Sequence, residues 1–350
     1  MNPLPSHNIN IQKLAYITLS LLNFKGRKGE ETAKTLISAS IWQDSIENKS
    51  KEYKTSPQTI RNYIEEQGIQ LVDKMLQEIQ KIALEQLKGV EEVNISIDWT
   101  GIKYWGKKVE GLGSGEKGYQ WNYATATTKH NDKTIILAFT QYTSGMSKDE
   151  IVKMLVEQVL SLGFKIGIIA LDAGFYSIEV IRFLSQFKYI ISVPVGDVKI
   201  YDEYDGTYTT RSKREKDQVS FRLIVHAREV TRKGKCRVEY VARGTNLDLP
   251  KHEVLRLYDE VRNPIETSYR EIKSFLVFTC SRSWVFRLFV FVLAMFLYSL
   301  FLFFKGVVKR VDFKLFLALI FVNEIENEFI SRFIKVMEPL FINFNLFLRR

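Results

Sequence analysis

An uncharged run of 17 residues, LFVFVLAMFLYSLFLFF at 288–304, restricts the fold more than any other feature of the sequence. As a helix it would be about 26 Å long, at the short end for crossing a bilayer. Such a run must be shielded from water by lipid or by protein. We favour a helix buried inside the protein, because the preceding sequence is typical of an α/β domain that needs a helix to cover its sheet. A membrane anchor at 288–304 is the alternative.

The composition is otherwise that of a soluble globular protein, with 46% hydrophobic and 26% charged residues. It excludes a fully disordered or collagen-like chain. The two cysteines, Cys236 and Cys280, are too few for a disulfide scaffold or a zinc ribbon, so we expect a cytoplasmic protein. The net charge of +10 favours a polyanionic partner, either nucleic acid or a membrane surface.

Residues 1–90 are predicted to form a helical N-terminal domain. Ser56 is a good N-cap and Pro57 suits the first helical position, so a helix is predicted to begin there. The apolar positions that share one face of this helix are Ile60, Ile64, Leu71, Met75, Ile79 and Ile82. A short helix followed by a turn and this segment is typical of a helix-turn-helix that reads DNA, but also of a plain helical cap.

Residues 91–196 have the pattern of an α/β core. Three strands are predicted around 93–102, 120–128 and 134–143, followed by a helix at 148–163. The continuous apolar run KIGIIALD at 165–172 predicts a strand that is buried on both faces, and a further helix and strand follow. Three strands that can form a meander, followed by alternating helices and strands, indicate a mixed sheet flanked by helices.

Residues 197–250 interrupt this alternation with a basic, β-rich segment. Between 207 and 243 there are 11 Lys or Arg and 4 Asp or Glu, which is +7 of the chain's +10. We interpret it as an insertion whose cations, including Arg232, Lys233 and Lys235, contact the DNA backbone. A solvated hairpin is the alternative. Helix is predicted again over 251–283, and a C-terminal helical segment over 306–350.

Two carboxylates follow apolar strands directly, Asp98 in ISIDWTG and Asp172 in IIALDAGF. A carboxylate in this setting needs a cation nearby. Two of them at the ends of neighbouring strands can face each other, and a divalent metal is the usual remedy for their repulsion. A third acid, Glu266, lies on the predicted helix at 262–275 with Arg262 and Lys273 on roughly the same side.

The order of Asp98, Asp172 and Glu266 resembles the DDE triad of transposases with a ribonuclease-H-like core. The stretch YDEVRNPIETSYREIK resembles the Y-x2-R-x3-E-x6-K signature of the insertion-sequence-four group. Arg262, Glu266 and Lys273 match its last three positions, whereas Tyr258 lies one residue further from Arg262 than the signature's tyrosine. The resemblance covers about 90–305 and implies a catalytic core at 91–196 and 251–305, with 197–250 inserted in it.

The resemblance implies a cut-and-paste DNA transposase. Asp98, Asp172 and Glu266 would bind two Mg²⁺ ions, with Mn²⁺ as a substitute, and Tyr258, Arg262 and Lys273 would contact DNA. The partners it implies are double-stranded DNA, as transposon ends and target, and a second copy of the chain in the DNA complex. It also implies that the apolar helix packs on the core sheet, without a membrane.

Three other interpretations remain open from the sequence. A metal-dependent nuclease on the same core would cut DNA without joining it. A non-enzymatic DNA-binding relative would not need three acidic residues in this order. A membrane-anchored protein would use 288–304 as its anchor.

Overall fold

The computed structural model describes residues 22–109, 111–115, 118–143, 145–211, 217–232, 235–306 and 308–321. They belong to two compact units, one made of residues up to 77 and from 272 onward, the other of residues 78–271. In chain order the helices are α1 Gly29–Trp42, α2 Ile46–Glu52, α3 Pro57–Gln86, α4 Lys148–Ser161, α5 Ile178–Leu184, α6 Val195–Val198, α7 Lys251–Lys273, α8 Trp284–Phe304 and α9 Arg310–Phe321. The strands are β1 Glu92–Tyr104, β2 Gly113–Gly115, β3 Gly118–His130, β4 Lys133–Tyr142, β5 Lys165–Leu171, β6 Tyr189–Val193, β7 Tyr204–Arg211, β8 Gln218–Arg232 and β9 Lys235–Thr245.

Helix α3 begins where the sequence predicts. Pro57 is its first residue, and the Ser56 hydroxyl accepts a hydrogen bond from the Thr59 N–H at 3.0 Å. This bond satisfies one of the N–H groups that lack a partner inside the helix. All six apolar residues predicted to share one face are buried. The predicted N-terminal helical region is therefore confirmed for the part of it that the structure describes.

Helix α8 contains the apolar run and is almost entirely buried. It has the length and composition to cross a membrane, but all of its apolar stretch is buried inside the protein, as in the core helix of a soluble protein. Within the first unit, Phe289 of α8 packs on Phe24 and Phe301 packs on Phe313, with ring centroids 6.0 and 5.5 Å apart. These side chains of α8 therefore pack against other side chains of the same unit.

A nine-stranded mixed sheet forms the centre of the second unit in the part of the chain that the structure describes. The order is β2-β3-β1-β5-β6-β9-β8-β7, and β4 also pairs with β3. Strands β1, β3 and β4 form an antiparallel meander, whereas β1, β5 and β6 are parallel. The meander followed by parallel strands confirms the predicted fold class, a mixed α/β sheet flanked by helices.

The segment 197–250 differs from the predicted insertion in one respect, because its strands continue the core sheet. Strand β9 pairs antiparallel with β6, with Ile191 opposite Gly244. This pairing occupies backbone groups of β6 that would otherwise form a sheet edge. Position 244 is a glycine for a steric reason, since a Cβ there would lie 2.8 Å from the Phe221 ring.

Helix α7 lies against the sheet through residues spaced by four and seven. Val254, Tyr258, Ile265 and Tyr269 are all buried, as expected for one face of a helix. The sequence suggests a fresh helical segment at Pro264, but α7 continues through this residue. Residues on both sides of the proline therefore stay in one helical register.

Candidate active site

Asp98 and Asp172 occupy neighbouring positions where two parallel strands pair. Strands β1 and β5 are in register with Ile97 opposite Leu171, so an aspartate follows at the next position in both segments. Strand β5 ends there, and Asp172 precedes the short 3-10 turn Ala173–Phe175. Asp98 does not end its strand as the sequence suggests, because β1 continues to Tyr104. Asp98 is only 6% exposed, while the side chain of Asp172 is 36% exposed. The structure thus brings together the two carboxylates that the sequence singles out.

Arg262 of α7 joins all three predicted acidic residues. Its Nη2 lies 3.4 Å from Asp98 Oδ2 and 3.5 Å from Asp172 Oδ1. Its Nη1 donates a hydrogen bond to Glu266 Oε1, one helical turn further along α7. The Arg262 side chain is 12% exposed, whereas that of Glu266 is 63% exposed. One guanidinium therefore bridges a cluster with an enclosed side, at Asp98, and an open side, at Glu266.

The electrostatics of the cluster follow from its unequal burial. Burial raises the pKa of Asp98 to about 6, against the lowering effects of Arg262 and of the Trp99 N–H, which donates to Oδ1 at 2.8 Å. The nearby carboxylates of Asp172 and Glu266 raise this pKa further. Burial also lowers the pKa of Arg262, but the hydrogen bond to Glu266 and the surrounding negative charge outweigh it and raise the pKa. Arg262 is therefore a permanent cation, while Asp98 carries an incompletely compensated charge.

Two tyrosines of α7 hold the backbone at the two aspartates. The Tyr269 hydroxyl donates to the Asp98 carbonyl at 2.6 Å and lies 2.8 Å from the Thr125 hydroxyl of β3. The Tyr258 hydroxyl donates to the carbonyl of Leu171, the residue before Asp172, at 3.3 Å. Their separation of eleven residues is three helical turns, so both project from the face that carries Arg262. The sequence analysis missed Tyr269, although this spacing could have indicated it.

Tyr258 is a correction to the predicted DNA contacts. It is 3% exposed, and the Arg243 guanidinium lies over its ring at 4.0 Å. A side chain enclosed in this way cannot reach a DNA backbone. Four residues before Arg262, it lies on the face of α7 that is turned to the sheet, which is why it is buried.

Lys273 and Glu271 lie further along the same helix. Lys273 is the last residue of α7, about two turns beyond Glu266, and its carbonyl accepts a hydrogen bond from Gln43 Nε2. Glu271 is five residues from Glu266, which rotates it by about 140° around the helix. Of these two acids, Glu266 is the one that the structure pairs with Arg262.

The basic segment carries fewer available cations than its composition suggests. Arg222 forms a two-pronged pair with Asp205 and also donates to the carbonyls of Leu247 and Leu249. Arg243 is enclosed against Tyr258. Lys233, and the side chains of Arg232 and Lys235, lie outside the described residues. At least two of the eleven cations therefore stabilise the fold instead of facing a partner.

The donor set of the cluster suits a hard divalent cation. Asp98, Asp172 and Glu266 offer carboxylate oxygens, the ligands that Mg²⁺ prefers. The raised pKa of Asp98 indicates that its charge would gain from a further cation. In the structure Arg262 lies between these carboxylates, and among the described residues no three acidic, histidine or cysteine side chains are grouped so that they could hold a metal ion. A metal ion at this cluster would therefore compete with Arg262.

Comparisons with known proteins give a fold and no named family. A model described as a domain of unknown function, DUF4322, matches residues 1–66. No curated protein matches the sequence. The chain is similar to a solved structure, piggyBac transposase in a synaptic complex with hairpin DNA, with a TM-score of 0.53 and 10% sequence identity. The similarity covers 92% of this chain and 81% of that one, and it shows a transposase-like fold.

Proposed function

We propose that this chain is a DNA transposase of the DDE type. The observation that carries the proposal is the cluster of Asp98, Asp172 and Glu266 around a single arginine; the first lies within β1, the second directly after β5 and the third on α7. The transposase-like fold supports it. The match of Arg262, Glu266 and Lys273 to R-x3-E-x6-K supports membership of the insertion-sequence-four group.

In this proposal the three carboxylates hold divalent metal, Mg²⁺ in the first instance. The chemistry that such an ion supplies on these ligands is activation of the attacking hydroxyl and stabilisation of charge at the phosphate. Tyr269 and Tyr258 fix the backbone beneath two of the ligands, so that Asp98 and Asp172 keep their spacing. The substrate is double-stranded DNA, as transposon ends and target, and the active form is a homodimer on paired ends in the cytoplasm.

Arg262 has a different role in the loaded site. Once its carboxylate partners bind a metal ion, its guanidinium can donate two parallel N–H bonds to phosphate oxygens of the DNA. Lys273, two turns away on the same helix, supplies a point charge further along the DNA backbone. The cation that bridges the three carboxylates would thus become a DNA contact in the complex with DNA.

The experiment compares Glu266→Gln with the matched variant Glu271→Gln. The substrate is DNA that carries the sequences flanking this reading frame, incubated with Mg²⁺ or Mn²⁺. Glu266→Gln should bind this DNA as wild type does but lose strand cleavage, because an amide cannot supply the carboxylate charge. Glu271→Gln should cleave within a few-fold of wild type.

Two outcomes contradict the proposal. Wild-type cleavage by Glu266→Gln would remove this residue from the site, and with it the roles of Arg262 and Lys273. Cleaved ends that never join to a target DNA would identify a nuclease instead of a transposase.

A further inference from the structure

Trp105 is the most exposed large hydrophobic residue among the described part of the chain. It follows the last residue of β1 and is 82% exposed. Other tryptophans of the same unit are packed, since Trp121 is fully buried and Trp99 lies against the rings of Tyr142 and Phe175. Leaving an indole ring in water gives up the large stabilisation that burying it would provide. Its exposure leaves the face of the ring accessible to a ligand.

The surroundings of Trp105 are cationic and aromatic. Lys103 Nζ lies 6.0 Å from the centroid of the Trp105 ring, and Lys107 and Lys108 are also exposed. Lys108 Nζ lies 5.9 Å from the ring centroid of Tyr119, which is 40% exposed on β3. The sequence over 99–109 has no Asp or Glu, and Glu110 follows it. We call Lys103, Trp105, Lys107, Lys108 and Tyr119 the strand-tip patch.

We propose that the strand-tip patch binds single-stranded DNA, with an unpaired base stacked on Trp105 and the lysines on the neighbouring phosphates. Proteins bind single-stranded nucleic acids with aromatic side chains placed among cationic ones, because every base has a face that can stack on an aromatic ring. A duplex satisfies the lysines equally well, but its bases are already stacked on each other. The tryptophan therefore favours a strand with unpaired bases.

The position of the patch relates it to the acidic cluster, and this step depends on the function proposed above. Asp98 and Trp105 are seven residues apart along β1 and the loop after it, which is about 23 Å of extended chain. Lys103, whose ammonium lies over the Trp105 ring, is five residues from Asp98 and therefore lies on the opposite face of β1. A stacked DNA strand that rises about 3.4 Å per nucleotide covers about 23 Å with about seven nucleotides, so DNA held at the carboxylates would reach the patch about seven nucleotides away, past the end of β1.

The test measures binding of full-length protein to an oligothymidylate and to a blunt duplex, in buffer without divalent cations. Trp105→Ala should weaken oligothymidylate binding by about 5- to 100-fold, from the loss of one stacked base. Binding of the blunt duplex should stay within two-fold, and Trp105→Phe should keep most of the affinity because a ring remains. Trp42→Ala is the control, since Trp42 is 48% exposed on a helix of the other unit.

Replacing Lys107 and Lys108 by alanine should weaken the binding of both DNAs. The slope of log K against log salt concentration for oligothymidylate should become shallower by about 1.4, or about 0.7 per lost phosphate contact. Equal oligothymidylate affinity of Trp105→Ala and wild type would overturn the proposal. So would a Trp105→Ala variant that differs from wild type only in self-association, because the patch would then contact a second copy. No cleavage takes place in these assays, so their failure is distinct from failure of the proposed function, which Glu266→Gln tests.

Discussion

Tyr269→Phe tests whether a helix hydroxyl holds the strand that carries Asp98. Tyr269 is buried, and its hydroxyl bonds the Asp98 carbonyl at 2.6 Å and the Thr125 hydroxyl at 2.8 Å. Phenylalanine keeps the ring and its packing and removes only these two bonds. A buried hydrogen bond contributes about 1 kcal/mol, and a buried group left without a partner costs about 1–3 kcal/mol. We therefore expect the free energy of unfolding to fall by about 2 kcal/mol.

Tyr258→Phe is the matched comparison, because it removes a hydroxyl from the same face of the same helix. The Tyr258 hydroxyl bonds the Leu171 carbonyl at a longer distance, 3.3 Å, and the ring stays beneath Arg243. Its loss should cost about 0.5–1 kcal/mol. Urea unfolding of both variants measures the order of the two effects. A double-mutant cycle of Tyr269→Phe with Thr125→Val isolates the hydroxyl pair and should give a coupling of about 0.5–1.5 kcal/mol.

The rate of DNA cleavage gives a second test of the role of Tyr269. If its hydroxyl positions Asp98, Tyr269→Phe lowers the cleavage rate at saturating DNA and leaves DNA affinity unchanged. A variant as stable as wild type, or one less destabilised than Tyr258→Phe, would refute the reasoning. Wild-type cleavage by a destabilised Tyr269→Phe would limit the residue to a structural role.

Further predictions concern the acidic cluster, a helix cap and the basic segment. The pKa of Asp98, about 6 in the folded protein, exceeds its unfolded value of 3.8. The contribution of Asp98 to stability is therefore full below about pH 4 and is lost as the pH rises through 6. Relative to wild type, Asp98→Asn should gain about 2–3 kcal/mol of unfolding free energy between about pH 4 and 7, measured by urea titration without metal. Ser147→Ala should cost about 1 kcal/mol in the same assay, because the Ser147 hydroxyl and the Glu150 carboxylate cap α4 reciprocally. Arg222→Ala should cost about 2–3 kcal/mol, since it frees Asp205 and two carbonyls, whereas Arg237→Ala, which removes a 60% exposed side chain, should stay within about 0.5 kcal/mol.

The parts of the fold that follow from local sequence could be predicted. The Ser56–Pro57 pair marks the start of α3, because capping depends only on nearby residues. Likewise, an aspartate directly after an apolar run is visible in the sequence for both Asp98 and Asp172, although only Asp172 follows the end of its strand. Their adjacency then follows from the parallel pairing of the two strands, which the order of strands and helices implies.

The parts that depend on distant pairing could not be predicted. The pairing of β9 with β6 joins segments about fifty residues apart, and both are apolar enough to have been buried in other ways. The enclosure of Arg243 by Tyr258 is equally invisible, because a composition count treats every arginine as a surface cation. The position of Arg262 among three carboxylates depends on the rotation of α7, which periodicity alone fixes only within about one residue.

The burial of α8 also has a consequence for how the chain is made. Its contact with Phe24 joins residues 265 positions apart, so the helices near the N-terminus leave the ribosome long before their partner exists. During that interval the sheet of residues 78–271 can form from contacts of its own, while the apolar faces of the early helices stay exposed. Contacts this far apart in sequence form slowly, and exposed apolar surface promotes aggregation in the meantime. Synthesis of this protein should therefore depend on chaperones most strongly just before residues 284–304 emerge.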